Sequence, residues 1–286
     1  MATILSGKAV AEALHQRLAQ QMQTLAAAGV TPTLAILRVG ERPDDLAYER
    51  GAAKRCEKLG VAVRRVTLAA DCAQEELMSA IRAVNEDAGI HGCLLLRPLP
   101  AGLDERAACE ALRPEKDVDC VTGASLARVF TGRGAGYPPC TAQACLEILD
   151  HYGCVLDGQR VTVVGRSLVI GKPAAMLLLA RNATVTVCHT HTMDLAAECR
   201  RADVLIAAAG KAGAIGPECV SRGQIIIDVG IHVTEDGGMC GDVDYPAVEP
   251  LAGAITPVPG GVGAVTSTVL AGHVIRAAAD AAGIAL

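Results

Sequence analysis

A chain of 286 residues is long enough for two domains that each bury a core of their own. Hydrophobic residues make up 51% of it but aromatic ones only 2%, so Ala, Val, Leu and Ile must fill the interior, as in helices packed on buried parallel strands. A net charge of −5 leaves no basic footprint for nucleic acid or an anionic membrane, and no apolar run approaches the ~20 residues that span a bilayer.

In chain order, Gly7 to Ala28 carries apolar residues at helical spacing (Val10, Leu14, Leu18, Met22, Leu25), and Gly29 closes that amphipathic helix. Thr33 to Val39 reads as a buried strand, Gly40 to Pro43 as a loop, and Leu46 to Leu59 as a helix ending at Gly60. Val61 to Leu68, Glu75 to Val84 and Gly92 to Leu96 continue as strand, helix, strand, the alternation of a parallel sheet. Val121 to Pro139, rich in Gly and Pro and without clear periodicity, reads as the connection between domains. Beyond Thr141 the alternation resumes with strand Arg160 to Val164, helix Pro173 to Arg181, strand Thr184 to Cys188 and helix Asp194 to Arg201. Strands Val204 to Ala208 and Gln224 to Val229 follow, and a last helix, Thr266 to Ala282, is placed to fold back on the first domain.

The twelve cysteines are scattered and form no CxxC, so they read as small buried hydrophobes rather than as a metal site or disulfide framework. The opening MATILSGKAVAEAL lacks the basic and apolar regions of a secretory leader, which points to the cytoplasm.

One segment carries chemistry on its own terms. The strand RVTVV runs into Gly165-Arg166-Ser167 and on to Gly171-Lys172-Pro173, with proline suited to the first helical turn. A glycine turn between strand and helix offers backbone N–H groups and a helix dipole to a pyrophosphate. Its spacing is not GxGxxG, so taken alone it is also compatible with an ordinary tight turn. The next strand ends in Cys188-His189-Thr190-His191-Thr192, with no acid before Asp194 to hold a ribose hydroxyl, while Arg166 offers a planar donor fork. On charge grounds that favours NADP over NAD. His189 and His191 lack obvious further ligands, so no metal is expected.

The segments VVGRSLVIGKPAAMLLLARNATVTVCHTHT, ADVLIAAAGKAG, IIIDVGIHV, GDVDY and ITPVPGGVGAVT closely resemble the bifunctional methylenetetrahydrofolate dehydrogenase/methenyltetrahydrofolate cyclohydrolase family. RVGERPDDLAYERGAAKRCEKLGV and RPEKDVDCVTG continue the likeness through the first half, so that it covers nearly the whole chain in order. The resemblance implies an α/β protein of two domains flanking a cleft, usually a homodimer. The N-terminal domain, three-layered and folate-binding, would span 1–139 and be joined by the helix 266–286; a Rossmann-type NADP-binding domain would span 140–265. It further implies that Gly165, Arg166 and Ser167 hold the cofactor phosphates, that Thr190 helps bind the 2′-phosphate, and that Ile231 and Thr266 line the nicotinamide side. Pro259, Gly260 and Gly261 would border the folate, Tyr48 would stack on its pterin, and Asp119 would accept hydrogen bonds from it. Taken without the family, Tyr48 reads as a core-facing helix residue and Asp119 as a loop cap.

The pattern also breaks. Ala52 stands where the family has a lysine one turn after the tyrosine, and Leu96 where it has a glutamine. Lys54 lies about 120° from the direction of Tyr48 around the helix and cannot stand in. Arg97 offers a cation but not a base, and a strand-end surface arginine is an equal reading. Hydrolysis of a methenyl group needs water added and protons moved, whereas hydride transfer needs mainly two rings held face to face. The expectation is therefore an NADP-dependent methylenetetrahydrofolate dehydrogenase with cyclohydrolase weak or absent. Alternatives are the ordinary bifunctional enzyme, a catalytically silent folate- or NADP-binding protein, and a related dehydrogenase with another substrate.

Overall fold

The computed structural model describes residues 2–286. Its elements begin with β1 (Thr3–Ile4), α1 (Gly7–Ala27), β2 (Thr33–Val39), α2 (Pro43–Lys58), β3 (Ala62–Leu68), α3 (Gln74–Glu86) and β4 (Gly92–Leu95). Next come α4 (Glu105–Ala111), α5 (Gly123–Thr131), α6 (Cys140–His151), β5 (Arg160–Val164), α7 (Gly171–Leu179), β6 (Thr184–Cys188) and α8 (Leu195–Arg200). The chain ends with β7 (Val204–Ala207), β8 (Ile225–Asp228), β9 (His232–Val233), β10 (Met239–Cys240), α9 (Tyr245–Val248), β11 (Ala254–Ile255) and α10 (Gly263–Ala282). Two compact units result, one of Ala13–Cys140 with Ser267–Leu286, the other of the residues up to Glu12 with Thr141–Thr266.

In the first unit β2 is buried along its whole length and pairs in parallel with β3 and β4, giving the order β3-β2-β4. Leu37, Leu77, Ile81, Val84 and Leu95 fill one side of that sheet, so α3 lays its apolar stripe across it. Helix α2 is held differently. Its Glu49 is buried and takes Arg38 Nε and Arg65 Nε, each at 2.9 Å, tying the helix to β2 and β3 through charge-assisted bonds. That register sets which residues of α2 turn away from the sheet, Tyr48 among them.

In the second unit six parallel strands take the order β1-β11-β8-β7-β5-β6. From β5 the chain moves outward to β6 and then returns to the other flank of β5 at β7. The carboxyl end of β5 is thus a topological switch point, the place where open α/β sheets bind ligands.

Three readings of the sequence are corrected. Residues 121–139 are not a featureless connection, because Gly123–Thr131 is helical: Thr122 accepts the Ser125 N–H at 3.1 Å as a cap, and Gly132 terminates the helix at φ 70°. Nine residues are too few to display a convincing period, whereas the caps alone were legible. The residues up to Glu12 also leave the expected 1–139 domain. β1 pairs with β11 (Thr3 with Ala254, Ile4 with Ile255), a non-local pairing that two residues of sequence cannot announce. Helix α2, too, starts earlier than Leu46, with Pro43 in its first turn.

Candidate functional site

Each unit presents a concave site. In the first, a cavity of about 380 Å³ is lined by Tyr48, Asp119, Arg97, Arg42, Asp45 and Leu96, among others. Asp119 sits on a loop shaped by its neighbour Asp117, which is fully buried and accepts the N–H groups of Val121 and Thr122 at 2.9 Å and the Thr122 hydroxyl at 2.8 Å. Asp119 Oδ1 accepts the Cys140 N–H at 3.5 Å. Loss of solvent pushes the Asp119 carboxyl above the usual carboxylate range, against the bonds from Cys140 that favour its charge. The same burial, with Asp119 next, pushes the Tyr48 phenol up, although 41% of that residue's surface stays open. Tyr48 is therefore a neutral ring with one accessible side, beside a carboxyl.

One of the two substituted positions lies here. Leu96 lines the cavity and is 5% exposed; Ala52, on α2, is 2% exposed. Lys54 is exposed and outside the lining. Arg97 does enter the cavity wall, held by Glu105 at 3.5 Å, whose other oxygen takes the Leu99 N–H at 2.8 Å. Arg42 is held by the Pro98 carbonyl at 2.8 Å. Sequence reasoning singled out neither Arg42 nor Asp45, although both lie in the segment RVGERPDDLAYERGAAKRCEKLGV; their place becomes visible only through the cavity they share.

In the second unit the turn after β5 is built for a close approach. Gly165 has φ 132°, and a Cβ there would stand 2.1 Å from the Ala208 carbonyl oxygen, so only glycine fits. Its N–H donates to Cys188 O at 2.8 Å, and Ser167 Oγ accepts the Ile170 N–H at 3.2 Å, which brings the turn to the start of α7. Arg166 and Ser167 are exposed, as is Thr190 on the loop after β6. Burial, then the charges of Arg166 and His191, push the His189 imidazole down, and the rings of His189 and His191 lie 5.9 Å apart. Arg166 and the two histidines thus form one cluster of donors. The acid after β6 is already engaged: Asp194 caps α8 by accepting the Ala197 N–H at 2.9 Å. A dinucleotide with a 2′-phosphate fits this donor set, because a cation faces it and no free carboxylate opposes it.

A cavity of about 270 Å³ in this unit is lined by Ile231, Pro259, Gly260, Gly261 and Asp228, among others. Gly261 is pinned against the start of α1, where a Cβ on Gly7 would meet Gly261 O at 1.9 Å and the Gly7 N–H donates to Gly260 O at 2.9 Å. Asp228 accepts N–H groups from Gly230, Asp242 and Val243 at 2.9–3.0 Å, yet burial wins and raises its carboxyl to about 6. Thr266 is placed in the first turn of α10, its hydroxyl on Gly263 O at 3.3 Å, outside that lining.

A glycine turn at the switch point of a parallel sheet defines the second unit as a Rossmann-type dinucleotide-binding domain, joined in one chain to an α/β unit whose cavity carries a tyrosine and a carboxyl. Residues 139–282 match the tetrahydrofolate dehydrogenase/cyclohydrolase NAD(P)-binding domain, and residues 5–119 match the catalytic domain of the same family. The chain belongs to the tetrahydrofolate dehydrogenase/cyclohydrolase family. It is 47% identical over 274 residues to the bifunctional protein FolD of Clostridioides difficile strain 630, covering 96% of each chain. Its fold is similar to that of the bifunctional enzyme FolD of Campylobacter jejuni, with a TM-score of 0.95 at 34% identity over 98% of this chain and 99% of that one. The Trypanosoma brucei N5,N10-methylenetetrahydrofolate dehydrogenase-cyclohydrolase, a structure complexed with NADP cofactor and inhibitor, gives 0.91 at 33% identity over 98% of each chain. Among the described residues no helix is long and apolar enough to cross a membrane.

Proposed function

We propose that this chain is an NADP-dependent 5,10-methylenetetrahydrofolate dehydrogenase whose cyclohydrolase activity is weak or absent. The observation that carries the reading is the composition of the cavity in the first unit. It keeps the flat ring of Tyr48 and the carboxyl of Asp119, but has leucine at position 96, while position 52 on α2 is a buried alanine.

Tyr48 offers an open aromatic face of a size to stack on a pterin. Asp119 accepts hydrogen bonds from pterin N–H groups, and its backbone partner Cys140 keeps it in orientation. Gly165, Arg166 and Ser167 receive the cofactor phosphates, with Thr190 and Arg166 toward the 2′-phosphate. Ile231, with Thr266, borders the nicotinamide, and Pro259, Gly260 and Gly261 border the folate. When bound, NADP supplies the acceptor for a hydride from the methylene carbon. The protein's part is to hold the substrate in position, since the two folate nitrogens stabilise the cation left behind and no enzymic base is required. Addition of water to that cation is different. It needs a group that moves protons, worth ~10²–10⁴-fold, and neither alanine nor leucine supplies one. The charge pattern supports NADP over NAD, as does the NADP in the Trypanosoma brucei structure. A homodimer in the cytoplasm completes the reading; the outer edge of β6, unpaired among the described residues and with Val187 open beside it, supports the homodimer.

Two traces test the proposal: NADPH formed from methylenetetrahydrofolate, and decay of added methenyltetrahydrofolate. NADPH formation without accelerated decay is expected. Accelerated decay would make the protein bifunctional, and silence in both would remove the dehydrogenase.

A further inference from the structure

Of the carboxylates lining the first unit's cavity, Asp45 is buried and makes no hydrogen bond, whereas Asp44, which makes none either, is exposed to water. Asp45 is 6% exposed, and its ion pair with Arg42 Nε spans 3.8 Å, beyond hydrogen-bond reach. The remaining carboxylates of this region are engaged: Glu105 with Arg97 and the Leu99 N–H, Glu49 with two arginines, Asp119 with the Cys140 N–H. A buried carboxylate that lacks a donor is costly unless something else brings one. An acid in the first turn of a helix does favour the helix dipole. Exposed Asp44 already serves that end, and the Asp45 oxygens take no N–H of the helix.

Its place on α2 says what it would receive. At about 100° per residue, Asp45 lies about 60° and Ala52 about 40° to the same side of Tyr48, so the three share a face of the helix. The family pattern would set an ammonium group one turn after the tyrosine; this chain instead sets a carboxylate one turn before it. Although Arg42 and Arg97 also line the cavity, the charge that α2 itself sets beside the ring changes from one that repels a positive charge on the ligand to one that attracts it.

We propose that Asp45 is a substrate-binding carboxylate that selects the cationic, methenyl state of the folate over neutral reduced folates. The inference rests on the folate reading of the cavity. It gives the missing cyclohydrolase a second cause: a methenyl carbon whose charge is balanced by a carboxylate is a poorer target for water. The hydride step itself is unaltered in balance, since the C–H pair leaves the methylene carbon and the positive charge stays on the N–C–N unit that Asp45 faces.

The test uses the whole protein in the dehydrogenase assay, with methenyltetrahydrofolate and tetrahydrofolate as competing inhibitors of methylenetetrahydrofolate oxidation. In the native protein the methenyl compound binds the more tightly. In Asp45→Asn its inhibition constant rises about tenfold, the equivalent of one charge-assisted hydrogen bond, while that of tetrahydrofolate changes by no more than about twofold. Asp45→Ser, which keeps a residue suited to a helix start, gives the same ratio if the amide variant does not fold. A merely structural Asp45 would move both constants together or neither, and either result overturns the proposal. If the native protein binds neither folate, the proposed function falls with it; if both bind and the ratio stays constant in the variants, only the role of Asp45 falls.

Discussion

The turn at the end of β5 and the wall of the Tyr48 cavity answer to different constraints. The turn is dictated by backbone: Gly165 has nowhere to put a Cβ, and its neighbours follow from where a strand must hand over to a helix. The cavity is dictated by side-chain chemistry on a scaffold that tolerates exchange. Leu96 in its lining and Ala52 on α2 are both buried, because small and apolar groups pack as readily as the longer polar ones. A fold of this kind can therefore keep its cofactor geometry intact while one of the reactions it supports is subtracted.

The strongest way to break that contrast is at the turn. Gly165→Val should lower the rate of NADPH formation by about 100-fold, since the side chain displaces the Ala208 carbonyl and misplaces the cofactor; initial rates at saturating folate measure it. A near-normal rate would mean the turn is not where the cofactor docks. The cavity should be repairable instead. Ala52→Lys with Leu96→Gln is expected to raise the rate of methenyltetrahydrofolate decay by at least about tenfold, because a lysine at buried position 52 loses solvent and is tuned toward its neutral, basic form. Unchanged decay in the folded double variant would show that positions 52 and 96 do not set the rate of that hydrolysis. The finest distinction is between cofactors. Arg166→Ala should weaken NADPH about tenfold more than NADH in fluorescence titrations, and equal losses would take Arg166 away from the 2′-phosphate.

Much of the architecture was legible because period and punctuation agree. Thr33–Val39, Arg160–Val164 and Thr184–Cys188 are strands with the bounds read from the sequence, each an apolar or β-branched run closed by a turn. Where the signal was short it failed: α5 shows only its caps, and β9, β10 and β11, of two residues each, carry no period at all. At the candidate site the same division holds. Tyr48 and Asp119 were found through the family's motifs, and the structure lines one cavity with both. Arg42 and Asp45 lie in the same segment as Tyr48 but had no role assigned and were missed.

The amino-acid sequence by itself determined the alternation of strands and helices, the glycine turn and the substitution of Ala52 and Leu96, because each depends on residue type and near neighbours. Only the tertiary structure decided that β1 completes the sheet of the second unit, that Asp194 is spent on its own helix, and that Asp45 is buried without a donor. Those facts depend on pairings between distant segments and on what water can reach, and neither is written in any local stretch of the chain.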